Sequence, residues 1–159
     1  MHSLIVFCAK NLIYVIVLLV FMVWLKLSSK LKKEFAAAVA LAGIIAFGLS
    51  KVAGGLYFDP RPFVTQHLQP LVSHGADNGF PSEHTVLAMT LTAVVYYYNK
   101  RVAVALFIMT VFVGVGRVLA HVHSPIDVLA ALAFGLIAGV TGVWLARRWF
   151  ATKKPNENT

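Results

Sequence analysis

Residues 4–25 read LIVFCAKNLIYVIVLLVFMVWL, an apolar run interrupted only by Lys10 and Asn11. A helix rises about 1.5 Å per residue and a bilayer's hydrocarbon core is about 30 Å thick, so about 20 such residues cross it. Lipid offers the backbone no hydrogen-bond partners, which leaves a helix as the conformation that satisfies a single apolar span. The run is too long for a cleaved signal peptide, and no small-x-small site separates it from the lysines at 26, 30, 32 and 33. It is therefore read as a retained membrane helix.

Four more segments repeat the pattern: residues 35–58, 84–99, 102–120 and 125–150. The expected fold class is all-α, an integral membrane helical bundle of about five transmembrane helices. One domain is expected over residues 1–159, with a polar, disordered tail at 152–159. Composition agrees, at 59% hydrophobic and 13% charged. A soluble domain carries about a quarter charged residues. The lone Cys8 excludes an internal disulfide and a Cys-based zinc cage. Gly135 and Gly139 form a Gly-x-x-x-Gly pair, which suits close helix packing within one subunit or a homodimer face.

The net charge of +8 does not point to nucleic acid, because the basic residues sit between and after the spans. With five crossings, the loops after the first and third spans and the C-terminal tail share one side and hold ten of the fourteen Lys and Arg residues. Positive charge marks the cytoplasmic side. The expected orientation is therefore N-terminus outside and C-terminus cytoplasmic. The polar chemistry then gathers at the outer face, in three segments: Asp59-Pro60-Arg61-Pro62-Phe63, Phe80-Pro81-Ser82-Glu83-His84-Thr85, and Gly116-Arg117 followed by His123 and Asp127.

Pro81-Ser82 is a helix-entry signal with Ser82 at the N-cap, so the third span should begin with free N–H groups turned to the outer loop. Such an end binds phosphate through those donors and the helix dipole. His84 lies in that first turn, placed to give a proton to a leaving oxygen. Ser124-Pro125 with Asp127 at N3 reads as a second capped start. An Asp127 carboxylate on the His123 imidazole would fix its tautomer and free the other nitrogen for nucleophilic attack. Arg61 and Arg117 supply planar, two-pronged donors for phosphate oxygens. Taken singly, Asp127 is a helix cap, His84 an interfacial histidine and Arg117 a snorkelling side chain; taken together they converge on one face. The remaining histidines, at 2, 67, 74 and 121, are read as loop residues.

These segments resemble the signature of the type 2 phosphatidic acid phosphatase family: Lys-x6-Arg-Pro, Pro-Ser-Gly-His and Ser-Arg-x5-His-x3-Asp. The stretches around Arg61 and from Ala76 to His84 are similar to its bacterial undecaprenyl diphosphate phosphatase branch. The resemblance implies a phosphatase with His123 attacking phosphorus to form a phosphohistidine, oriented by Asp127. His84 would protonate the leaving group, and Arg61, Ser82 and Arg117 would hold the phosphate. Neither metal nor cofactor is implied. The implied substrate is a lipid phosphate, undecaprenyl diphosphate foremost, in a bacterial inner membrane, with the released carrier serving cell-wall synthesis.

The chain departs from the pattern in three places. Gly54 stands where the family lysine falls, with Lys51 the nearest lysine; Glu83 replaces a glycine; Gly116 replaces a serine. The family also has six spans where five are counted here. Lys51 and Glu83 are carried as phosphate-site residues on this reading. Other lipid substrates within the class are phosphatidic acid, phosphatidylglycerophosphate and lipid A phosphate. Outside it stand a metal-dependent hydrolase ligated by His121, His123 and Asp127, and a small transporter.

Overall fold

The computed structural model describes residues 2–152; the lysines at 153 and 154 and the rest of the expected tail lie outside the described residues. The first span is α1 (His2–Val6), a π-helical turn over Phe7–Asn11, and α2 (Leu12–Lys26), running as one rod. The chain reverses and returns as α3 (Ser29–Leu56). A loop holding the short α4 (Pro62–Thr65) follows, and then α5 (Glu83–Tyr96), α6 (Lys100–Leu119) and α7 (Pro125–Thr152). Among the described residues there is no strand, only an isolated bridge between Pro60 and Asn78. The protein is an all-α membrane bundle.

Four rods are long and apolar enough to cross a membrane: His2–Lys26, Ser29–Leu56, Lys100–Leu119 and Pro125–Thr152. The expected third span, α5, is shorter, fourteen residues or about 21 Å. Ten of those residues are buried. The other helices enclose α5, so its length need not match the hydrocarbon thickness. Its buried threonines bond to carbonyls one turn back, Thr90 to Val86 O and Thr92 to Ala88 O, both at 2.8 Å. The outward surface is the reverse of a soluble protein's: Leu18, Phe21, Ile44, Phe47, Phe107 and Trp144 are all exposed.

Small residues set the spacing. A Cβ on Gly135 would lie 2.7 Å from Val86 O, and one on Gly139 2.5 Å from the Ala93 Cβ. The Gly-x-x-x-Gly pair therefore packs α7 on α5 inside the subunit. Farther along, Gly142 meets the backbone of Ala42 on α3. The end bearing the lysine loops is tied by Tyr98, whose hydroxyl donates to Glu34 Oε1 at 3.1 Å, with Arg147 Nε 3.6 Å from the same oxygen. All three motif segments lie at the opposite end.

Candidate active site

The loop between α3 and α5 is held by one amide. Asn78 accepts from the N–H groups of Asp59 (3.0 Å) and Phe80 (2.9 Å), and donates to the carbonyls of Gly54 and Tyr57, both at 2.9 Å. Gly79 N–H donates to Asp59 O at 2.8 Å, so the first two motif segments lie side by side. Phe63 N–H and Leu71 N–H donate to the carbonyls of His121 and Ala120, bringing in the turn between α6 and α7. The three segments converge on a cavity of about 410 Å³.

His123 is buried at its base. Its Nε2 lies 3.0 Å from Arg117 Nη2 and 3.4 Å from Arg61 Nη1, and its Nδ1 lies 2.8 Å from Gly79 O and 3.3 Å from Asp127 Oδ2. Guanidinium groups only donate and a carbonyl only accepts, so the proton sits on Nδ1 and the Nε2 lone pair faces the arginines. Burial holds this imidazole below its ordinary pKa; the Asp127 bond opposes the shift and the Arg117 and Arg61 charges add to it.

Asp127 makes the contacts of both roles that sequence offered as alternatives, the helix cap and the bond to His123. Its Oδ2 accepts from Ser124 N–H at 2.8 Å, while Ser124 Oγ reaches the Asp127 N–H at 3.4 Å, a reciprocal cap on α7. The same oxygen meets His123 Nδ1. Ser124 Oγ also donates to Asp59 Oδ2 at 2.5 Å, which locks the first segment onto the third.

Both arginines are almost fully buried. Arg61 is held by Asp77 Oδ1 (2.8 Å from Nε), Val122 O (2.8 Å from Nη1) and Asn78 O (3.4 Å from Nη2). That contact with Asp77 draws the carboxyl below its usual range. Arg117 donates from Nη1 to Ala9 O at 3.3 Å and from Nη2 to His74 Nε2 at 2.6 Å. Its Nε is buried without a partner. Burial first, then the Arg117 and Arg61 charges, lower the His74 pKa.

The other expected residues are placed unevenly. His84 and Glu83 line the cavity from the first turn of α5, which no side chain caps. Lys51 also lines it, but its Nζ rests 5.4 Å from the Phe47 ring, one turn back along α3 and away from Gly54. Ser82 occupies the N-cap position without capping. Its hydroxyl is fully buried 3.0 Å from Thr85 Oγ1, and it is not part of the cavity lining. A direct phosphate contact from that hydroxyl does not fit this geometry. His74, read from sequence as a plain loop residue, lines the cavity with Asp77 and Asn78, while Asp59 and Gly79 hold the loop and His123 in place through their hydrogen bonds. The visible signal was their membership of the two quoted segments; His74 had none. Among the described residues no three His, Cys, Asp or Glu side chains form a metal-holding group.

A family profile described as the PAP2 superfamily matches residues 33–154. The chain belongs to the PAP2 superfamily. It is similar to the undecaprenyl-diphosphatase BcrC of Bacillus subtilis (strain 168), 30% identical over 87% of this chain and 72% of that one. It is also 28% identical, over 92% of this chain and 72% of the relative, to the Bacillus licheniformis protein named bacitracin transport permease protein BcrC. Among solved structures, Aquifex aeolicus LpxE shares the fold, with a TM-score of 0.67 at 22% identity over 90% of this chain and 83% of that one. The PAP2 motifs and the cavity coincide, and this protein is a membrane-embedded phosphatase of that superfamily.

Proposed function

We propose that this PAP2 phosphatase hydrolyses undecaprenyl diphosphate to undecaprenyl phosphate at the outer face of a bacterial inner membrane. One observation carries the proposal: the His123 Nε2 lone pair lies between two buried arginines, with the opposite nitrogen's proton held by Gly79 O and Asp127. A terminal phosphoryl group entering there takes the arginine N–H donors onto its oxygens. Nε2 then attacks phosphorus in line, the P–O bond to the lipid phosphate breaks, and the displaced oxygen takes a proton from His84. Water cleaves the resulting phosphohistidine, with His84 now accepting the proton, and inorganic phosphate leaves. The arginines and the uncapped N–H groups of α5 stabilise the charge that develops.

The diphosphate substrate is favoured by the named Bacillus subtilis relative, and the outer-face assignment by the eight cationic residues that, among the described residues, gather at the other end. Transport has one support, the name of the Bacillus licheniformis relative. It is the weaker reading, because α5 fills the middle of the bundle with ten buried residues.

The deciding experiment is phosphate release by the purified protein. The panel is undecaprenyl diphosphate, phosphatidic acid, phosphatidylglycerophosphate and a lipid A phosphate, each with and without EDTA. Release from the diphosphate, undiminished by chelator and absent in His123→Ala, is the expected result. Turnover of wild-type size in His123→Ala ends the mechanism, and loss with EDTA restores the metal-dependent reading. Release from none of the lipids leaves transport.

A further inference from the structure

Beside the cavity runs a groove of about 270 Å³ between α3 and α5. Its walls are Gly43, Ala46 and Phe47 on α3 and Val86, Leu87 and Thr90 on α5. Ser50, Lys51 and Glu83 line both hollows, so groove and cavity meet at these three residues. The surroundings change character across that junction. The cavity is walled by arginine, histidine and acidic side chains. Beyond Ser50, Lys51 and Glu83 the groove is walled by apolar groups and by Thr90, whose hydroxyl is already bonded to Val86 O at 2.8 Å. From Lys51 down to Gly43 is eight residues, roughly 12 Å into the bundle.

Two other apolar hollows among the described residues do not connect in this way. The one between α2 and α3, beside Phe21 and Phe35, shares no residue with the cavity, and neither does the one beside Tyr96 and Phe107. On its other side α3 is closed by α7, where Gly142 touches the Ala42 backbone. A lipid phosphate joins a polar head to an apolar chain, so its site needs a polar chamber with an apolar exit. We propose that the α3–α5 groove seats the first isoprenoid units of the substrate's chain while its phosphates occupy the cavity. This rests on the phosphatase reading above. A chain that moves from lipid into such a groove gains little from burial, since both are apolar. The groove instead orients the head, keeping phosphorus in line with His123.

Two glycines make the test clean. A Cβ on Gly43 meets nothing within 4 Å, so a side chain there starts into open groove with no clash at its root. Gly48, on the same helix and outside the groove, is equally open and serves as the control. The full chain, wild type, Gly43→Phe and Gly48→Phe, is assayed on farnesyl diphosphate, dimethylallyl diphosphate and p-nitrophenyl phosphate. Gly43→Phe is expected to lower kcat/KM for farnesyl diphosphate about tenfold or more, a loss of orientation. The two short substrates, which do not reach Gly43, should turn over at the wild-type rate, and Gly48→Phe should match wild type throughout. Unchanged farnesyl turnover in Gly43→Phe overturns the proposal, as does the same loss in Gly48→Phe or an equal fall on all three substrates. A second measurement needs no variant: a farnesyl diphosphate analogue with a photoreactive group on its second unit should cross-link at Phe47 or Leu87. Cross-linking confined to α6 or α7 overturns the groove. If wild type hydrolyses none of the three substrates, it is the phosphatase reading that fails.

Discussion

Two arginines crowd the nitrogen of His123 that the proposed attack requires, and their charge acts on it before any substrate arrives. Burial first, then Arg117 and Arg61, lower the pKa of this imidazole from 6.5, against the pull of Asp127. In the proposed attack the nucleophile is the neutral ring, so protonation at falling pH switches it off, and a lowered pKa moves that loss to more acid solution. The acid limb of kcat/KM for an aryl phosphate is accordingly expected below pH 6.5; a limb at or above that value removes the electrostatic account of the site. Asp127 separates further by variant. Asn at 127 keeps an oxygen for Ser124 N–H but loses the charge on His123, so kcat should fall on the order of 10- to 100-fold. The fall is limited because Gly79 O, at 2.8 Å, still holds the Nδ1 proton. Asp127→Ala also loses the cap, a further cost of about 1 kcal/mol read in the thermal midpoint. If both variants leave kcat at wild type, the carboxylate is only a cap. Spacing made His123, Asp127 and both arginines legible in the sequence. His74 was not, because only the folded loop shows that this histidine reaches Arg117.

Helices reproduce the apolar periodicity with displaced ends. The second span, expected at 35–58, begins at Ser29, since Lys30, Lys32 and Lys33 continue a helix outside the hydrocarbon as readily as alanines continue it within. The π-turn at Phe7–Asn11 was marked by nothing except the polar pair Lys10-Asn11. Yet that turn presents Ala9 O to Arg117, and it explains Gly116: a Cβ there would lie 2.8 Å from Ala9 N and from the Cys8 Cβ. The motif's serine does not fit beside this helix. Gly54 has a matching cause. A Cβ on it would sit 2.9 Å from Phe80 O, so the family lysine has no room, while α3 continues unbroken to Leu56. Lys51 at the cavity edge, with its ammonium on Phe47, is then a long and adjustable contact. Lys51→Met should lower kcat/KM on a lipid diphosphate by less than Arg61→Ala or Arg117→Ala. Each arginine loss removes charge-assisted contacts of roughly 1.5–3 kcal/mol, about ten- to a hundredfold in rate. Gly54→Lys should not rescue Lys51→Met, because the clash with the Phe80 backbone remains. Should Lys51→Met be the most damaging of the three, Lys51 must swing off Phe47 to meet phosphate directly.

At the scale of the molecule, five helices crossing one bundle put charge and chemistry at opposite ends, and this polarity carries the remaining prediction. The turn from Lys26 to Ser29, the turn from Tyr96 to Lys100 and the end of α7 lie at one end, with the lysines and arginines around them. The loop from Leu56 to Glu83 and the turn from Leu119 to Pro125 lie at the other, with the cavity. Moving cationic side chains across the membrane is unfavourable, so in the orientation proposed above the basic end stays cytoplasmic and the cavity opens outward. An outward cavity meets a diphosphate only if the lipid head is exposed on that face, so orientation and substrate stand or fall together. Gln69 and Ser29 are both exposed and sit at opposite ends. Cysteine at either should react with a thiol reagent when nothing blocks it. Cys8 is partly buried and needs replacing first; Cys8→Ala suits the contact it makes with Gly116, being smaller. In that background an impermeant maleimide added to intact cells should label Gln69→Cys and leave Ser29→Cys unlabelled until the membrane is permeabilised. Equal labelling of both after permeabilisation shows that both sites are reactive, so protection in intact cells reports sidedness alone. The opposite pattern would turn the cavity to the cytoplasm, and the substrate would then have to be a lipid phosphate presented on the inner leaflet.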